Sequence, residues 1–129
     1  MNNMQENDTI LVQDLIVSFT RQLALYKELR DTVRSVMSKL ILSRGDTAGL
    51  MSGIEKKQKL MEAIGLERES SAEKVALWQE RRDLYDTNKE IGYFNEILTQ
   101  TQKVIKEFLE SEDQLKRYLE KMYKKSGEA

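Results

Sequence analysis

The chain has 129 residues, a third of them charged, with 21 lysines and arginines against 22 carboxylates and a formal net charge of −1. It contains no histidine, cysteine or proline. That excludes Ser-His-Asp and Cys-His catalysis, disulfide stapling and histidine or thiolate metal ligation, and it leaves no proline to break a long helix.

The first residues, Met1-Asn2-Asn3-Met4-Gln5-Glu6-Asn7-Asp8, are polar and read as frayed. They carry no positive charge, and no long apolar run follows, so no signal peptide is expected. From Thr9 to about Ser43 the pattern is helical, with Asp8 or Thr9 as the expected N-cap. Val12, Phe19, Tyr26, Val33 and Leu40 recur every seven residues. Leu15, Leu29 and Val36 fill the position three later, and Ile16, Leu23 and Met37 the position four later. Only Gln22 and Arg30 interrupt this stripe, whose width marks a core-facing bundle helix.

Arg44-Gly45-Asp46-Thr47 is the first break: Gly45 suits the left-handed end of a helix, and Asp46 or Thr47 suits the cap of the next. The second helix is expected over 47–64, with Leu50, Met51, Ile54, Leu60, Met61 and Ile64 as its apolar set. Gly53 inside it costs up to about 1 kcal/mol relative to alanine and points to close helix packing. Gly65-Leu66 reads as its end, and Ser70-Ser71-Ala72-Glu73 as a capping box opening a third helix over 71–125. Such a helix would be about 80 Å long. It would outrun the first, so a bend, a break near Gly92, or an overhanging segment over about 105–129 is expected.

The fold class is therefore all-α: an elongated antiparallel helical bundle or coiled coil, one domain over 1–129, long helix, short helix, long helix. No stretch approaches the roughly 20 apolar residues of a membrane span. The absent cysteines fit a reducing, cytoplasmic setting. A net charge of −1 offers no strong field for nucleic acid or membrane.

No cofactor, metal or catalytic residue is expected. The glycines at 45, 49, 53 and 65 form no phosphate loop, and no spacing of lysines or carboxylates builds a pocket. Glu80-Arg81-Arg82-Asp83 with Lys89 and Glu90 reads as a solvated face. Lys116, Arg117, Lys121, Lys124 and Lys125 complement the dipole of the last helix. Trp78 reads as core. Asn88, Asn95, Thr99, Thr101 and Gln102 make the inward side of the third helix polar midway, where asparagine commonly fixes register.

The candidate site is the apolar stripe of the C-terminal segment: Ile105, Phe108, Leu109, Leu115, Leu119 and Met122, with Tyr118 and Tyr123 alongside. If the bundle leaves it uncovered, it marks a partner site for an amphipathic segment. Packing on the first helix or across a homodimer fits the pattern equally.

The chain resembles the FlgN-type flagellar export chaperones. The resemblance rests on three groups of residues. After a long first helix comes Arg44-Gly45-Asp46; Leu50 then opens a helix carrying Glu55-Lys56-Lys57-Gln58-Lys59-Leu60; and Leu84-Tyr85-Asp86-Thr87-Asn88 is followed by Asn95 and Leu98. It covers roughly residues 10–110. Glu96 follows Asn95 where the family often has a glycine, and Gly92 comes earlier. The resemblance implies a cytoplasmic chaperone that holds hook-filament junction proteins and delivers them to the export apparatus. Carried over by position, client binding falls on Ile105, Phe108, Leu109, Leu115, Leu119 and Met122. Phe108→Glu or Leu115→Glu is then expected to abolish client binding and leave helicity. The FliT-type chaperones are a close competitor. A structural adaptor that self-associates through the same stripe is the alternative.

Overall fold

A computed structural model describes residues 4–128, with the side chains of 126–128 outside the description. Met1-Asn2-Asn3 and Ala129 therefore lie outside the described residues. Three helices make up the fold: α1 (Glu6–Leu42), α2 (Leu50–Arg81) and α3 (Lys89–Glu128). A 3-10 turn over Arg82–Leu84 follows α2. None of the helices is long and apolar enough to cross a membrane.

The molecule is a helical bundle built on α1. Its stripe is buried as the periodicity dictates, with Val12, Leu15, Leu29, Val33 and Leu40 all nearly inaccessible. α2 runs antiparallel to α1: Arg81 pairs with Asp8, Lys74 with Asp14 and Arg21 with Glu67. α3 runs parallel to α1. Arg30 meets Glu107, Arg34 meets Ser111 and Leu40 meets Tyr118, at separations of 77, 77 and 78 residues. A constant offset of this kind is what two in-register parallel helices produce.

The two residues that interrupt the α1 stripe are absorbed by polar partners. Buried Gln22 donates from Nε2 to the Ser18 Oγ at 3.3 Å. Half-buried Arg30 pairs with Glu107 at 3.3 Å.

The first turn forms as expected. Gly45 has φ +97° and Arg44 φ +57°. Asp46 closes an Asx turn, its Oδ1 accepting from the Ala48 N–H at 3.0 Å, so it shapes the loop and does not cap α2. Gly53 is the close approach between α1 and α2: a Cβ there would come within 2.3 Å of the Val36 Cγ2.

The second break lies elsewhere than at 65–70. α2 continues unbroken through Gly65, Ser70 and Ser71 to Arg81. The serine hydroxyls bond back into the helix, Ser70 to the Glu67 carbonyl at 2.9 Å and Ser71 to the Arg68 carbonyl at 3.2 Å. Ser71 is buried, and Ile64 and Trp78 anchor the segment on either side, so packing on α1 overrides the local stop signals. Leu66 stays exposed and does not fold back.

The real break spans 82–88, and Asn88 caps α3 by accepting the Ile91 N–H at 2.9 Å. Asn88 is thus a cap and not a register-fixing core residue. Of the other polar residues placed inward, Thr101 is buried, whereas Asn95, Thr99 and Gln102 are exposed. α3 passes Gly92 without a break. Its 40 residues span about 60 Å against about 55 Å for the 37 of α1. At the offset of 77–78 residues, 105–119 lies alongside α1 and the turns from Glu120 onward continue past Leu42.

The polar start is also ordered sooner than expected. α1 begins at Glu6, and Asp8 is 3 % exposed inside the helix. Its carboxylate binds Arg81, with Nε to Oδ1 at 2.6 Å and Nη2 to Oδ2 at 3.0 Å, and accepts the Tyr85 hydroxyl. Trp78 is buried and stacks on Tyr85 at 6.5 Å between centroids. Arg81, assigned above to a solvated face, therefore ties the end of α2 to the start of α1.

Candidate partner-binding site

α2 and α3 both pack on α1, and their backbones stay apart. Among the described residues, no Cα of α2 lies within 8 Å of a Cα of α3. Their side chains meet over α1 in two clusters: Trp78 of α2 joins Ile91 and Phe94 of α3 over Leu11, Val12 and Leu15, and Leu60 and Ile64 of α2 join Phe108 of α3 over Leu29 and Val33. Lys57 crosses to Glu112 beside the latter cluster at 2.9 Å. The result is a cleft between α2 and α3, floored by α1 and divided into two cavities.

The cavity nearer the start of α1 is about 540 Å³ and is lined by Phe19, Val75, Trp78, Tyr85, Phe94 and Leu98, with Gln79, Arg82, Asp83 and Asn95 also on its walls. The second is about 450 Å³. Thr32, Val33 and Val36 form its floor, Leu50, Gly53 and Ile54 the α2 wall, and Leu115, Leu119 and Tyr123 the α3 wall. Lys57, Glu112, Asp113, Lys116 and Glu120 supply its charged groups.

The structure divides the expected stripe into separate roles. Phe108 is 6 % exposed and belongs to the core. Leu115 and Leu119 are half-buried and line the second cavity. Ile105, half-buried, lies seven residues after Leu98 and fourteen before Leu119, so it sits on the same wall between the two cavities. Leu109 is 58 % exposed and, seven residues before Lys116, continues that wall outward. Met122 belongs to neither group: it packs under the first turn, where a Cβ on Gly45 would lie 2.9 Å from its Cε. The assignment of all six residues to one exposed surface is corrected accordingly. The α2 wall, Leu50 and Ile54, was read in the sequence only as part of the second helix's apolar set and was not joined to the site, because spacing within one helix does not show which neighbour it faces.

The electrostatics of the site are mild. Asp8, outside the second cavity, is held below the usual carboxylate range by the Arg81 guanidinium and the Tyr85 hydroxyl. The pKa of the Tyr85 hydroxyl is pushed up, chiefly because it donates to the Asp8 carboxylate, and Arg81 opposes the rise. Among the described residues, no three histidine, cysteine or acidic side chains converge where they could hold a metal ion. An apolar trough with charged rims suits the apolar face of a helical or extended segment. Comparison with family models, with characterised proteins and with solved structures finds no match.

Proposed function

We propose that the protein is a binding protein of the FlgN-type export chaperone kind, and that it holds an amphipathic client segment in the cleft between α2 and α3. The observation that carries this reading is the separation of α2 from α3, which leaves Ile54, Leu115, Leu119 and Tyr123 lining an open apolar trough. The resemblance over residues 10–110 supplies the client class: hook-filament junction proteins, held in the cytoplasm and passed to the export apparatus. The action is burial of apolar client surface, worth about 25 cal/mol per Å² removed from water before ordering costs. No bond is made or broken and no cofactor takes part.

The test is isothermal titration of the chain with C-terminal segments of hook-filament junction proteins, repeated with Leu119→Glu. Saturable binding that Leu119→Glu abolishes, with the helical circular dichroism spectrum retained, supports the reading. No binding by the intact chain removes the client class, and binding that survives Leu119→Glu moves the site away from the cleft. A self-associating adaptor competes, since Met61 on α2 and Leu109 on α3 are exposed apolar side chains that a second copy would cover. A light-scattering mass of one chain in dilute buffer excludes it.

A further inference from the structure

The near-zero net charge conceals a charge gradient along the bundle. One end consists of the last turns of α1, the 43–49 turn, the start of α2 and the last turns of α3. Residues 38–52 and 115–128, which build it, carry seven lysines and arginines against three carboxylates. The opposite end, residues 6–15 and 74–92, carries four against seven. α1 holds the two ends about 55 Å apart, several times the Debye length of about 8 Å at physiological salt. A charged surface touching one end is therefore screened from the other.

The basic end is assembled by defined contacts. Met122 packs under Gly45, and the Tyr118 hydroxyl donates to the Leu40 carbonyl at 3.5 Å. The closing turns of α3 thus lie beside the turn and continue past Leu42. Lys39, Arg44, Lys121, Lys124 and Lys125 are exposed there, and none takes part in the ion pairs of the described residues. Apolar side chains project among them: Leu42 is 84 % exposed, Tyr123 79 % and Ile41 50 %.

We propose that this end docks the bundle on an anionic lipid surface. Lysines and arginines would meet the headgroup phosphates and carboxylates while Leu42, Ile41 and Tyr123 enter the interfacial layer. The shape of the end decides between lipid and an acidic protein. The tip of this end is a turn and a helix terminus, and its exposed Leu42 and Ile41 line neither cavity of the cleft. A protein surface has to offer a matching pocket for Leu42, whereas a headgroup layer accepts it without one. This end borders the second cavity, whose wall includes Tyr123 and Lys116, but the proposal does not depend on what the cleft binds.

The test is co-sedimentation with vesicles of phosphatidylcholine alone and of phosphatidylcholine containing about 30 % phosphatidylserine, at low and physiological salt. Binding to the anionic vesicles only, weakened by salt, is expected. The triple variant Lys121→Gln, Lys124→Gln, Lys125→Gln should weaken it about 100-fold, at roughly fivefold per charge. Leu42→Ser should weaken it severalfold at unchanged charge. Equal binding to both vesicles, no binding to either, or anionic binding that survives the triple variant overturns the proposal. Loss in the triple variant with no effect of Leu42→Ser, and displacement by soluble polyglutamate, assigns the end to an acidic polypeptide and overturns it equally.

Discussion

Phe108 separates the core of this protein from its binding surface. It sits 6 % exposed among Leu29, Val33, Leu60 and Ile64, a cluster to which all three helices contribute. Phe108→Ala removes a ring from that junction, and such truncations cost about 3–5 kcal/mol. With an unfolding entropy of about 2.1 cal/mol/K per residue, the corresponding fall in Tm is about 11–18 °C for a chain of this size. Leu109, the next residue along, is 58 % exposed, so Leu109→Ala should change stability by no more than about 0.5 kcal/mol. The assay is thermal melting followed by circular dichroism for both variants beside the parent. A Phe108→Ala protein that melts within about 2 °C of the parent, or a Leu109→Ala protein that loses as much as Phe108→Ala, would refute the placement of α3 on α1. The same comparison explains why Phe108→Glu cannot report on client binding: it places a charge where three helices meet and should unfold the bundle.

Gly53→Ala should destabilise by about 1–3 kcal/mol through overpacking against Val36, despite alanine's better helix propensity, and Val36→Ala should restore most of the loss in a double-mutant cycle measured by urea unfolding. Additive effects of the two changes would rule out the contact. The Asp8 clasp should make folding pH-dependent. Its folded pKa lies below the unfolded value of about 3.9, so the unfolded chain binds more protons in that window. The stabilisation is present above the unfolded pKa and is lost as pH falls through the folded one. Asp8→Asn should therefore lower Tm at neutral pH and flatten its fall below about pH 4, and an unchanged acid limb would show that the clasp does not titrate.

The first helix and first turn were legible because they depend on strong local rules. A wide 3.6-residue stripe can only be buried by a helix, and Gly45 is free to adopt the positive φ that the turn requires. The second turn was not legible for the same physical reason inverted. Gly65-Leu66 and Ser70-x-x-Glu73 look like a stop and a start, yet each is worth only about 1 kcal/mol. Packing of Ile64, Ser71 and Trp78 on α1 outweighs them. The actual break at 82–88 has neither glycine nor proline, and its one signal is Asn88, which also fits a core asparagine. Misplacing that break moved the whole of 71–81 from α2 to α3 and lengthened the expected overhang. It also blurred the candidate site. A seven-residue pattern on α3 shows one stripe, but the stripe has an inner edge through Val104 and Phe108 facing α1 and an outer edge through Ile105 and Leu119 facing α2. Only the position of α2 tells the two edges apart.

The cysteine-free chain offers a direct test of the cleft as the client site. Single cysteines replace Leu119 and Ile54 on its two walls, and Leu66 on the exposed back of α2. The rate of thiol modification is measured with and without a saturating C-terminal segment of a hook-filament junction protein. The account predicts that the segment slows modification at Leu119→Cys and Ile54→Cys by about tenfold or more, the factor for at least 1.4 kcal/mol of occlusion, and leaves Leu66→Cys unchanged. Equal rates at Leu119→Cys and Ile54→Cys in the bound and free protein would contradict it.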